Sequence, residues 1–194
     1  NPFTAILFCL AVVSTITDMI FPYFSLFGSV PEDFDCLTVV IILTMVIISG
    51  TLRFVQESFV PFVVKHYAAA SDVPVVLGGY SLAGLFSLWS AYQTDLFAAV
   101  AAVSPSVWFP KWDEYAGKHA VQTERIYLSL GKREEKTRNR VMAAVGDRIR
   151  EQYKQLQEQG IQTTLEWNEG NHFQESDVRC AKAFIWCVRN LEHS

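Results

Sequence analysis

From about residue 53 onward the chain alternates segments of helical period with short apolar runs that read as strands. In Thr51–Tyr67 the apolar residues Leu52, Val55, Phe59, Phe62 and Val63 recur at helical spacing and predict one inward face. Pro61 falls inside this helix and predicts a kink or a division, because it has no N–H and its ring crowds the preceding turn. Val73–Leu77 reads as a buried parallel strand entering a tight turn at Gly78 and Gly79, and Leu82–Tyr92 reads as an apolar helix. Phe97–Val103 and Ile126–Leu130 predict two more buried strands, the second stopped by Gly131 and a charged cluster. Residues 139–159 form the clearest helix, with Met142, Val145, Ile149, Tyr153 and Leu156 on one face and Gly160 as its stop. Thr163–Trp167 is the fourth strand expected, and a last helix over Asp177–Leu191 turns Val178, Ala181, Phe184, Ile185 and Val188 inward. Such alternation specifies an α/β fold, with helices layered on a mostly parallel sheet.

The first 52 residues read differently. Pro2–Thr17 and Cys36–Leu52 are uncharged stretches of 16 and 17 residues, at the lower limit of a membrane-spanning helix. Their β-branched content favours buried strands of the same fold, and Asp18 and Pro22 interrupt the first stretch, so a membrane hairpin is the less favoured alternative. Residues 1–52 carry four acids (Asp18, Glu32, Asp33 and Asp35) and no Lys or Arg, whereas residues 53–194 hold 16 acids and 16 bases. The expected organisation is therefore a divergent hydrophobic part, 1–52, and a chemistry-bearing portion, 53–194. The chain opens at Asn1 without a basic n-region, which reads as a fragment or processed product rather than an intact signal peptide.

Composition narrows the classes. At 51% hydrophobic, 13% aromatic and 19% charged, with 10 Gly and 7 Pro, the chain is neither disordered nor low-complexity. The net charge of −4 and the absence of a basic stripe exclude nucleic acid as an expected partner. Cys9, Cys36, Cys180 and Cys187 show neither CxxC pairing nor metal spacing and read as buried free thiols in a cytoplasmic protein.

The segment Gly79-Tyr80-Ser81-Leu82-Ala83-Gly84 lies between a predicted strand and a predicted helix, the setting of a nucleophile elbow with Ser81 at its apex. Ala83 stands where the usual pattern has glycine, and Gly84 follows it. A serine nucleophile needs a base, and His172, in the loop between the last strand and the last helix, is where one would be delivered. His66, His119 and His193 read as solvated or capping groups, and the bland alternative for His172 is a polar loop residue. The acid that fixes the imidazole should follow the third strand, where Glu134 and Glu135 stand; Glu134 is favoured, with Glu135, Glu169 or no acid at all left open. The Leu82 N–H is one expected oxyanion donor. Tyr80 and Trp108 are candidate pocket residues, with Phe109 and Trp112 beside them. In a chain with 26 aromatics each is also a candidate core residue, and the core reading leads for Trp112.

Taken together, GGYSLAGLFSLW, AAVSPSVWF, IYLSLGKREE and WNEGNHF resemble the esterase D and enterochelin esterase-like family of α/β-hydrolases over about residues 53–194. That family includes enterochelin esterases, feruloyl esterases and S-formylglutathione hydrolase. The resemblance implies a three-layer α/β-hydrolase-like fold, with Ser81 as nucleophile, His172 as base and Glu134 as acid. Some enterochelin-esterase relatives work with a Ser-His dyad. It further implies a small acyl, aryl or siderophore ester as substrate, and no metal or organic cofactor. The resemblance fails toward the N-terminus: before Gly78 the only glycines are Gly28 and Gly50, no His-Gly pair supplies a second oxyanion donor, and only Asp18 to Phe34 faintly resembles the family's aspartate-to-proline loop. Truncation or divergence of the N-terminal strands is the expectation. Two rivals stand beside the serine esterase: a catalytically silent α/β-hydrolase-like protein, and a membrane-anchored hydrolase-like domain.

Overall fold

The computed structural model describes residues 6–9, 48–68, 70 and 72–192. Most of residues 1–52 thus lie outside the described residues. With them go the hairpin alternative, the Asp18–Phe34 loop, Cys36 and any second oxyanion donor; His193 also lies outside. Two compact units are distinguished, one of residues 1–11 and 72–194, the other of residues 12–71.

The second unit's described part is one helix. Residues 48–54 are α-helical, Val55–Phe59 form a π turn, and α1 spans Val60–Tyr67. The Val60 N–H reaches the Val55 carbonyl, one residue further back than an α-helix requires, directly before Pro61. This wider turn divides the helix where the proline predicts a break. The extra residue also rotates the apolar face. Leu52, Val55 and Val60 are buried, whereas Phe62, expected inward, is 51% exposed. Among the described residues no helix is long and apolar enough to cross a membrane.

In the first unit, five strands form one parallel sheet in the order β1 (Ile6–Cys9), β2 (Val75–Tyr80), β3 (Phe97–Val103), β4 (Arg125–Gly131) and β5 (Gln162–Asn168). Between and after them lie α2 (Leu82–Ser90), α3 (Trp112–Lys118), α4 (Arg140–Ala143), α5 (Val145–Glu158) and α6 (Ser176–Leu191). Parallel crossovers are right-handed, so connections stepping in one direction across the sheet share a face. The helices between β2 and β5 lie on that face and α6 returns across the other. On the α6 face Val76, Ala99, Ala101, Val103 and Tyr127 form a core with Ala183, Phe184 and Cys187. The alternate residues Val100, Ala102, Ile126, Leu128 and Leu130 are fully buried on the opposite face. Burial on both sides explains why these strands read as continuous apolar runs. The layered α/β expectation holds.

Several local expectations change. β2 does not turn at Gly78 and Gly79 but runs through them to Tyr80. The glycines serve close packing: a Cβ on Gly78 would lie 2.6 Å from the Phe184 ring, and one on Gly79 would lie 2.4 Å from the Ala83 backbone. The helix expected over 139–159 is two helices, with Ala144 between them and Met142 39% exposed. On α6 Phe184 is buried as expected, but Val178, Ala181 and Ile185 face solvent, and Arg179, Ala183 and Cys187 are buried in their place. The helix takes the rotation that buries an arginine. Cys180 is partly buried and Cys187 is a fully buried thiol.

Replacing Gly79 by alanine is expected to cost about 3 kcal/mol, the upper end for overpacking, because the clash is with backbone rather than a movable side chain. A lowered urea midpoint at unchanged slope is the predicted reading. An unchanged midpoint would mean that α2 slides freely against β2.

Candidate active site

The elbow is built by close approach. After Tyr80 the backbone reverses at Ser81 with φ 58 and ψ −117, a left-handed conformation that a residue bearing a Cβ adopts only under constraint. The constraint is visible on both sides. The Ser81 N–H donates to the Val103 carbonyl at 3.0 Å, and the Ser81 carbonyl accepts from Ser106 at 3.1 Å and Leu85 at 3.0 Å. A Cβ on Gly84 would lie 2.9 Å from the Val103 carbonyl oxygen, so α2 rests on β3 at the glycine that follows Ala83. Gly79 takes the close contact with Ala83 itself. The departure from the usual pattern is thereby accommodated. Leu82 opens α2, and the first N–H groups of a helix have no partner within it.

Glu134 begins a 3₁₀ turn just after β4, and His172 lies in the loop between β5 and α6. The two loops are joined by backbone bonds, Lys132 N–H to the Asn168 carbonyl at 2.9 Å and Arg133 N–H to the Gly170 carbonyl at 3.0 Å. Ser81 Oγ lies 3.0 Å from His172 Nε2, and His172 Nδ1 lies 2.7 Å from Glu134 Oε2. Burial pushes the Glu134 carboxyl up, but hydrogen bonds from His172, the Gly131 N–H and Ser104 outweigh it and hold the group below its ordinary range. An ionised carboxylate only accepts, so Nδ1 carries the imidazole proton and Nε2 is left free to accept from Ser81. The alternative acids are engaged elsewhere. Glu135 pairs with Arg150 at 3.0 Å, and the Glu169 side chain pairs with Lys132. His66 and His119 are exposed, each bonded to a carbonyl one helical turn back.

A cavity of about 420 Å³ lies over Ser81 and His172, lined among others by Ser106, Trp108, Met142 and Phe173. Phe173 is 90% exposed and Trp108 half-buried. Tyr80 lies beside the base: its ring centroid is 5.2 Å from that of His172, and its hydroxyl donates to the His172 carbonyl at 2.7 Å. Trp112 is core, its indole N–H bonded to Gln152 at 2.9 Å and its ring packed edge-on against Tyr92. Three polar residues of this region went unread in the sequence. Ser106 Oγ lies 3.5 Å from Ser81 Oγ. Ser104 donates to Glu134 Oε1 at 2.8 Å, and Arg179 does so at 2.9 Å. A polar residue in an apolar stripe, as Arg179 is with Ala183 and Cys187 at four-residue spacing, is the signal that could have found it.

A family model described as Putative esterase matches residues 49–176. Among solved structures, the siderophore hydrolase EstA from Aspergillus nidulans superposes with a TM-score of 0.59 at 21% identity, covering 73% of this chain and 56% of its own. Enterochelin esterase from Shigella flexneri gives a TM-score of 0.59 at 20% identity, covering 73% of this chain and 38% of its own. At these identities the likeness is one of fold. Among curated proteins, one described as Probable cytosol aminopeptidase, from Chlorobaculum parvum, is 35% identical over 71 residues, which is 36% of this chain and 14% of that protein. The chain thus spans little more than half of EstA and less of the other two.

Proposed function

The chain belongs to the Putative esterase family, and from that premise we propose that it is a serine carboxylester hydrolase in which Ser81 is the nucleophile, His172 the base and Glu134 the acid. The observation that carries the reading is the continuous hydrogen-bond chain from Ser81 through His172 to Glu134, with links of 3.0 and 2.7 Å. Ser81 Oγ attacks the ester carbonyl as Nε2 takes its proton. The Leu82 N–H, at the unpaired start of α2, stabilises the oxyanion. Protonated His172, balanced by Glu134, returns the proton to the leaving alcohol, then activates water to release the acyl group. Trp108 flanks the substrate, and Tyr80 steadies the base from beneath. A cavity of about 420 Å³ suits a small acyl, aryl or siderophore ester, the last being the kind of substrate named for EstA. The 3.0 Å separation of Ser81 Oγ from His172 Nε2 supports this reading over a catalytically silent one, which a buried or distant Ser81 hydroxyl would favour.

The test is labelling of the folded protein with a fluorophosphonate, read by intact mass. One adduct per chain, located on the Ser81 peptide, is the expected result. A folded protein that takes up no label would overturn the reading.

A further inference from the structure

Among the described residues, Arg179 is the largest side chain that is fully buried, at 1% exposure. A guanidinium does not lose its charge on burial, so its place must be set by what neutralises and bonds it. Its Nη1 donates to Glu134 Oε1 at 2.9 Å and lies 3.2 Å from the Tyr80 hydroxyl and 3.4 Å from Ser104 Oγ. Its Nη2 donates to the carbonyls of Glu169 at 2.7 Å and Asn171 at 3.0 Å, the second being the residue before His172. One planar group from α6 thus bonds the side chain of the acid and the backbone of the loop that carries the base.

We propose that Arg179 is the positioning residue of this site: it locks Glu134 and the His172 loop into one unit, with the carboxylate aimed at the imidazole. The inference rests on the serine-hydrolase reading above. Glu134 Oε1 accepts from three donors, Arg179, the Gly131 N–H at 2.7 Å and Ser104 at 2.8 Å, which leaves Oε2 to His172. Ser104 is held at φ 43 while it makes this bond. The second effect is electrostatic. The charged and titratable groups facing Glu134 are His172 from its loop, Arg179 from α6 and Tyr80 from β2. The neighbouring acids Glu135 and Glu169 are turned to Arg150 and Lys132. Arg133 and Lys136 line the cavity beyond the carboxylate. Arg179 therefore neutralises much of the acid's charge. Without it, the buried carboxylate more readily takes a proton, which pushes the onset of activity upward in pH.

The experiment compares wild type, Arg179→Met and Arg179→Lys in hydrolysis of a p-nitrophenyl ester and in the rate of fluorophosphonate labelling, each against pH. Arg179→Met is expected to lower kcat on the order of 10²-fold with little change in KM, part of the ~10⁴-fold loss seen when an acid's orienting role is removed outright. Its acid limb moves to higher pH. Arg179→Lys restores the position of the acid limb, because the charge returns, but recovers kcat only in part, because an ammonium cannot span Glu134 and both carbonyls. A folded Arg179→Met with the wild-type kcat and acid limb overturns the proposal. Should that variant not fold, Arg179→Lys decides alone, and a wild-type kcat there overturns it equally. A wild type that neither labels nor hydrolyses instead defeats the serine-hydrolase reading itself.

Discussion

Ester hydrolysis by Ser81→Ala or His172→Ala is expected to fall by as much as about 10⁶-fold in kcat, and the double variant to fall no further than either single one. The equality is the sharper half. Ser81 and His172 are bonded at 3.0 Å and perform one proton transfer together, so losing either partner loses the whole step. The residue of activity, roughly 10³–10⁴ over water in serine hydrolases, comes from the oxyanion donor and substrate binding. A tight-binding phosphonate will form no adduct with Ser81→Ala. Initial-rate measurements on the three variants, after circular dichroism has established that each is folded, decide the matter. Additive losses would mean that the two groups act in separate steps, and a fully active Ser81→Ala would place the nucleophile elsewhere.

Glu134→Gln should cost about 10⁴-fold in kcat while leaving the fold intact, and the reason is specific to how this carboxylate is held. Oε1 accepts from Gly131, Ser104 and Arg179, all of them donors here. A glutamine must therefore put its carbonyl oxygen in that place and turn its NH₂ toward His172. The NH₂ then donates to Nδ1, the ring proton moves to Nε2, and Nε2 can no longer accept from Ser81. Inversion of the tautomer, rather than loss of charge alone, is what disables the site. Labelling rates and NMR of the imidazole nitrogens check both parts. A Glu134→Gln protein that labels at the wild-type rate would show Ser81 and His172 working as a dyad, as some enterochelin-esterase relatives do.

The sequence made the strands easy to see wherever both faces of the sheet are covered. Phe97–Val103 is an unbroken apolar run because α2 lies on one side and α6 on the other, and its bounds are those expected. The elbow, the histidine loop and the acid's turn were legible for a related reason, since each sits at the C-terminal end of a strand, where glycines and polar residues interrupt apolar sequence. What escaped was the rotation of helices. On α6 the expected stripe of Val178, Ala181, Phe184, Ile185 and Val188 shares Phe184 with the buried face but competes with Ala183 and Cys187, and on paper Val178, Ala181 and Ile185 are as good a choice as those two. The choice between them is made by Arg179, whose partners lie 99 residues away at Tyr80 and eight residues away at Asn171, so hydrophobic period carries no trace of it. The same holds for Gln152, buried on α5 between Trp112 and Tyr92 at 2.9 Å from each, in a position whose neighbours predict surface.

The order in which these parts leave the ribosome has its own meaning. The nucleophile's strand and helix, residues 75–90, are synthesised first, the acid some forty residues later, and the clamp that joins acid to base only with α6. All three proposed triad residues thus precede Arg179 in the chain. On the reading that Arg179 joins acid to base, a chain interrupted before α6 would carry Ser81, Glu134 and His172 without the group that holds them together, and would turn over esters more slowly than the whole chain.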